Sequence, residues 1–344
     1  MDEQKKKRAK PRRVLIDADI VAYKAASAAE KAQDWEDGIW TLHATESDVR
    51  NIIDSMVGSI LIGCKAKSFL LFITGKTNFR YTVDKSYKHN RKEIRRPMLL
   101  QYAREYLNCI GTVIQYPKLE ADDCLGIFAT NPKSKYQDII SSEDKDLKTI
   151  PGLHYDKDLH RVYTISKEEA DRKWFMQVLT GDNSDGYPGC PGSGPKDAEK
   201  VLSELSMHDT LSVWKAIVKR FEKAKLSEAD ALVQARLSRI LRYGEYDIKA
   251  AEVTLWNPPT PDTVPTPDTV PTELTEENND TDTIIEVEDT KHEGASACSD
   301  NESTVPIERE AKHPNKTPTA GRNRTPKAHK SQIPIGFDDE DFNF

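Results

Sequence analysis

This sequence predicts an α/β domain built on a mostly parallel sheet, with a long acidic segment behind it. Three observations point there. Short apolar runs recur along residues 1–256, and a stretch long enough for a helix follows each one. Parallel strands need such crossovers, because a tight hairpin can join only antiparallel neighbours. Beyond Trp256 the alternation stops, and Pro, Thr, Asp, Glu and Asn take over.

In chain order, the first element is a basic run from Lys5 to Arg13, read as a leader over residues 1–12. It is a solvated segment, a phosphate-contacting arm or a nuclear address. VLIDADIVAY follows; its two aspartates exclude a signal-peptide core. Strands are predicted at 14–16, 68–73, 112–116 and 138–140. PMLLQYAREYLN, residues 97–108, opens with Pro97 at a first helical position and then shows helical apolar spacing. Residues 166–180 begin with Ser166 and Glu169 in capping-box register. Further helices are expected from about Pro195 and across 227–246.

Residues 257–344 hold 19 acidic and 8 basic side chains, which leaves 38 and 42 in residues 1–256. The net −7 of the chain therefore belongs to its end, while the body carries +4, as suits a protein that approaches phosphates. The end opens with a hexapeptide duplication, TPDTVP at 260–265 and again at 266–271. It has too little apolar surface to offset the ordering of its backbone, so disorder is expected over 257–344. Five scattered cysteines without a Cys-x-x-Cys pair fit a reducing interior and exclude a zinc pattern. No apolar run approaches the ~18 residues of a membrane span.

Four acidic groups fall in related places. Asp17 follows the first strand, and Glu120, Asp122 and Asp123 follow the third. Asp144 and Asp146 follow the fourth, while Asp182 and Asp185 sit in TGDNSDG. Carboxyl ends of parallel strands share one edge, where ligands bind. Eight carboxylates gathered there would repel and hold protons unless hard cations joined them. Mg²⁺ suits such a set, and paired ions can hydrolyse a phosphodiester. Taken singly, each group has a structural explanation: helix N-terminal acids in EADD, turn formers at Asp182 and Asp185, a solvated loop at Asp144 and Asp146. Their joint placement in a basic body favours the metal reading.

Two cationic features accompany them. KSYKHNRKEIRR, residues 85–96, sets Tyr87 and His89 among cations, a pattern for a frayed nucleic-acid end. GYPGCPGSGPK, residues 186–196, places Gly192, Gly194 and Lys196 just before a helix start, where amides bind phosphate.

Together these residues resemble the 5′-nuclease (flap endonuclease-like) superfamily, and within it the compact 5′→3′ exonucleases of tailed bacteriophages. The resemblance runs in order over about residues 13–257, through VLIDAD, NFR with YKHNRK, LEADD, ISSEDKDLKTIPG, TGDNSDGYPGCPGSG and the non-catalytic ARLSRILRYGEYDIKAAEVTLWNP. It implies a PIN-like α/β domain over 13–256 with a helical arch and a helix–hairpin–helix-type DNA clamp near 181–205. It implies two divalent cations, Mg²⁺ with Mn²⁺ able to substitute. Asp17, Glu120, Asp122 and Asp123 would serve the first, and Asp144, Asp146, Asp182 and Asp185 mainly the second. Lys88 and Arg91 would contact the scissile phosphate. Arg80, Tyr87, Gly192, Gly194 and Lys196 would bind DNA.

The implied activity is 5′→3′ hydrolysis of duplex DNA, with flaps and RNA–DNA hybrids as further substrates, in phage replication or host DNA degradation. The implied setting is the cytoplasm of an infected cell, with no membrane partner. A non-catalytic DNA-end binder and a PIN-type ribonuclease are the alternatives. The closing GFDDEDFNF, residues 336–344, resembles tails that dock replication proteins; a solubilising tail is the plainer reading. One departure stands out. Relatives often carry an aspartate before the Phe-Arg or Trp-Arg, yet FITGKTNFR has no acid, so Asp19 or a water takes its place, or the site holds its metals less tightly.

Overall fold

In the computed structural model, the described residues are 9–35, 39–90 and 95–260. Residues 1–8 of the expected leader, Arg91, and residues 261–344 of the acidic segment lie outside them.

The four predicted apolar runs are strands of one six-stranded sheet. They are β1 (Arg12–Asp17), β4 (Ser68–Phe72), β5 (Val113–Ile114) and β6 (Gln137–Ser141). Two strands that the alternation did not reveal, β7 (Gly152–Asp156) and β8 (Arg161–Ile165), extend it to the order β5-β4-β1-β6-β7-β8. All neighbours are parallel except β7 and β8. Asp17 is level with Phe72 and Ile16 with Ser141, so β1, β4 and β6 end on one edge.

The central strand is apolar at successive positions because helices cover both faces. Val14 and Ile16 pack with α1 (Ala18–Ala29), α2 (Glu46–Cys64) and α4 (Leu100–Ile110). Leu15 faces the other way, onto α5 (Ala121–Ala129), with Leu70, Phe72 and Ile140 beside it. Between α1 and α2 lies an antiparallel hairpin of β2 (Lys31–Asp34) and β3 (Trp40–His43). A short α3 (Arg80–Val83) follows β4.

A second body of helices has its own core. It comprises α6 (Lys167–Thr180), α7 (Pro195–Leu202), α8 (Thr210–Lys223) and α9 (Glu228–Ser238), around Trp174, Phe175, Trp214 and Phe221. Trp256 closes it, 5.0 Å from the Trp174 ring and 5.1 Å from Trp214. The expected capping box is present: Ser166 Oγ accepts from Glu169 N (3.1 Å), and Glu169 Oε2 accepts from Ser166 N (2.7 Å).

Two boundaries need correction. Pro97 is not the first helical residue; it sits in a turn whose carbonyl accepts from Leu100 N, where α4 begins. The helix expected over 227–246 stops at Ser238. The Leu241 N–H that would continue it donates to Asp123 Oδ1 (3.2 Å), and the Arg239 carbonyl accepts from Arg80. Short strands β9 (Tyr246–Asp247) and β10 (Glu252–Val253) follow.

Candidate active site

At the shared strand edge lies a pocket lined by Asp17, Asp19, Thr74, Glu120, Asp122 and Asp144, among others. Each arrives by a local rule. Asp17 ends β1 and caps α1, accepting from Ile20 N. Glu120 is the N-cap of α5, which puts Asp122 in its first turn. Beyond β6, Ser142 Oγ donates to Asp17 Oδ2 (2.9 Å) and accepts from Asp144 N (3.0 Å), drawing that loop against the first strand end. Asp146 N donates to Asp144 Oδ1 (2.7 Å), and Asp146 Oδ1 accepts from Gln177 Nε2 on α6 (2.6 Å). Gln177, a polar residue in a helix, carries no motif of its own, and Ser142 is legible only as part of ISSEDKDLKTIPG.

Asp17, Asp122 and Asp146 bind protons more tightly than ordinary aspartates. Burial, then the charges of Asp19 and Asp144, push Asp17 up to about 7, against hydrogen bonds from Ser142 and Ile20. Burial followed by Asp144, Asp17 and Glu120 drives Asp122 well above the usual range, although Lys88 pulls it down. Asp146 rises to about 8 through burial and the charges of Asp144, Asp182 and Asp185. A divalent cation is the natural remedy for such an excess of buried negative charge. Among the described residues, no three acidic, His or Cys side chains converge tightly enough to cage one ion. The donor set is all oxygen and arranged around a cleft, which fits an ion that keeps several waters, as Mg²⁺ does.

The loop of Asp182 and Asp185 is balanced differently. Burial alone would raise Asp182, but hydrogen bonds from Ser184 and Asp185 N and the charge of Lys145 hold it below the ordinary value. Asp185 faces the basic segment. Tyr87 Oη lies 2.8 Å from Asp185 Oδ2 and 3.1 Å from Glu120 Oε2. Lys88 adopts a left-handed φ of 54°, with its N–H on the Asp185 carbonyl. Its Nζ is 2.6 Å from Glu120 Oε1 and 3.7 Å from Asp185 Oδ1. An ammonium thus bridges two of the acidic groups.

Three expected roles change. Tyr87 is only 3% exposed, so it is no platform for a base; its hydroxyl joins two carboxylates instead. Arg80, at 2%, does not reach DNA. Its guanidinium donates to Asp123 bidentately (2.8 and 2.9 Å), to Glu120 (3.1 Å) and to the carbonyls of Leu237 and Arg239. Asp123 in turn accepts from Arg80, Glu120 N and Leu241 N, and is fully buried. It is turned from the pocket and spends its oxygens on Arg80 and on capping α5.

The glycine-rich loop presents Gly192, Gly194 and Lys196 at the surface, with Gly194 as the N-cap of α7. Gly192 takes a left-handed φ of 73°. Arg220 props the loop from beneath, through Asp197 (2.7 Å) and the Pro191 carbonyl (3.2 Å). The missing acid also has a structural reason. A Cβ on Gly75 would lie 2.6 Å from the Tyr116 carbonyl oxygen, so this backbone admits no side chain there.

A family model described as the 5′-3′ exonuclease, N-terminal resolvase-like domain, matches residues 12–179. The exodeoxyribonuclease of Enterobacteria phage T3 is 31% identical over 283 residues, 71% of this chain and 92% of its own length. The exonuclease of Escherichia phage T7 is 30% identical over 285 residues, covering 71% and 93%. Among solved structures, the zinc-bound 5′-exonuclease of T5 superposes with a TM-score of 0.51 at 16% identity, over 66% of this chain and 89% of that one. At that identity the likeness is one of fold.

Proposed function

This chain belongs to the 5′-3′ exonuclease family, alongside the phage exonucleases it resembles, and from that premise we propose that it hydrolyses duplex DNA from the 5′ end using two divalent cations. It is a nuclease of the 5′→3′ exonuclease and flap-endonuclease kind. The observation that carries the finer reading is the pocket in which Asp17, Glu120, Asp122 and Asp144 meet from three strand ends with too little positive charge.

Asp17, Glu120 and Asp122 would hold the first cation, and Asp144, expected mainly at the second, would join them because it lines the same pocket. Asp146, Asp182 and Asp185 would serve the second, directly or through water. Asp123 has no part in either. Bound there, Mg²⁺ or Mn²⁺ would supply an ionised water and stabilise the leaving oxygen. The chain's own groups do the rest. Lys88 neutralises the scissile phosphate once Glu120 releases it, and Arg91 assists. Gln177 fixes which Asp146 oxygen faces the site. The exposed amides of Gly192 and Gly194 with Lys196 take a phosphate of the duplex strand without reading its sequence.

Flaps and RNA–DNA hybrids are further substrates, in replication or in degradation of host DNA within the infected cell. Residues 13–256 form the nuclease unit, and 336–344 are the segment that would meet a replication protein. No helix among the described residues is long and apolar enough to cross a membrane.

Cleavage of blunt, flapped and hybrid duplexes, labelled at either end, tests this reading. Short products from the 5′ end that need Mg²⁺ are expected. Retention of DNA without any cleavage in Mg²⁺ or Mn²⁺ would make the chain a DNA-end binder.

A further inference from the structure

The acidic side chain that the second strand end lacks has a substitute in the fold. We propose that Asp19, in the first turn of α1, is a ligand of the first cation, with Arg104 as its counter-ion until that cation binds; the inference rests on the metal reading above.

Three observations carry it. Asp19 is only 2% exposed, yet it lines the same pocket as Asp17, Glu120, Asp122 and Asp144. Its Oδ2 accepts from Thr74 N (2.8 Å), which carries its carboxylate across from the end of β1 to the end of β4. There the chain offers Thr74 and then Gly75, where the Tyr116 carbonyl forbids a side chain. Asp19 therefore fills the place that β4 leaves without an acid.

Its other oxygen faces a cation already. Asp19 Oδ1 lies 2.7 Å from Arg104 Nη2, on α4, and the Arg104 side chain is about a third exposed. Arg104 Nε is buried without a hydrogen-bond partner, so the guanidinium is held mainly from its Asp19 end. The pair opens to solvent on the Arg104 side, as suits one that comes apart when a divalent ion enters.

Metal binding separates the two roles without any turnover. The full chain is titrated with Mn²⁺ in the absence of DNA, and free Mn²⁺ is read by electron paramagnetic resonance. Asp19→Asn should weaken binding roughly 10- to 100-fold, the span found when groups supporting a metal are lost. Arg104→Gln removes the same ion pair but frees the carboxylate, so it should tighten binding severalfold. Asp19→Asn binding like the parent, or Arg104→Gln leaving affinity unchanged or lower, overturns the assignment; the second variant decides even where the first does not fold. Asp144→Asn is the reference. If it weakens binding while Asp19→Asn does not, only Asp19 is misassigned. If the parent chain binds no Mn²⁺, the metal reading itself fails.

Discussion

Two acidic regions meet at this site, and they solve the problem of buried charge in opposite ways. At the strand ends, Asp17 and Asp122 are crowded by burial and by one another, and their affinity for protons rises. In the loop after α6, Asp182 is less deeply buried and takes hydrogen bonds from Ser184 and Asp185 N, and its affinity falls. One region is short of positive charge; the other is supplied by its own backbone and Lys145. The first is therefore where a cation gains most, and the second is largely preformed. Lys88, lying between Glu120 and Asp185, belongs to both.

The widest gap between the regions should appear on removing a strand-end acid. Asp122→Asn is expected to lower the cleavage rate on the order of a thousandfold, several kcal/mol of lost transition-state stabilisation. Gel-based cleavage of a 5′-labelled duplex at saturating Mg²⁺ checks it, and a change within a few fold would break the contrast. Next comes the bridge beneath the pocket. Arg80→Met leaves the buried Asp123 carboxylate without its counter-ion, at about 3–5 kcal/mol of folding stability. Urea denaturation of the metal-free chain measures that loss.

The third prediction concerns pH. Asp17 near 7 and Asp146 near 8 lie far above an unfolded aspartate, so the unfolded chain sheds these protons first. The stability they contribute is fully present below an unfolded carboxyl's pKa and is lost as pH climbs through 7 and 8. Asp182 has the opposite sign and matters only in acid. The melting temperature in a chelator should therefore fall from about pH 4, where an unfolded aspartate ionises, to about pH 8 and level off above it, and saturating Mg²⁺ should flatten the decline. A flat profile in the chelator would show that the strand-end acids are not short of charge. The smallest effect is expected at the preformed loop, where Asp182→Asn keeps most backbone contacts and should slow cleavage only about tenfold, as support around a metal does.

Much of this was legible in the residues. The runs that became β1, β4, β5 and β6 each carry consecutive apolar residues because both faces are covered, and that pattern survives in a single sequence. Ser166 and Glu169 signalled α6 because a capping box is wholly local. Strands β7 and β8 were not legible: GLHYD is half-buried to buried and RVYTI half-buried to exposed, neither with a clean period. The site divides along the same line. That acids gather at one edge follows from strand ends. Which of them stays open does not, since Asp122 and Asp123 are neighbours in EADD with opposite fates. Asp123 is taken up by an arginine 43 positions away and by Leu241, 118 positions away. Tyr87 and Arg80 looked like surface contacts for the same reason, and the choice between Asp19 and a water, open in the sequence, turns on the Thr74 N–H that meets the Asp19 carboxylate.

The most direct trial is Asp144→Asn, which alters one wall of the pocket and preserves its shape. With a 5′-labelled duplex and Mg²⁺, the account predicts that cleavage disappears while the variant still binds the duplex as the parent chain does. Full cleavage by Asp144→Asn would contradict it.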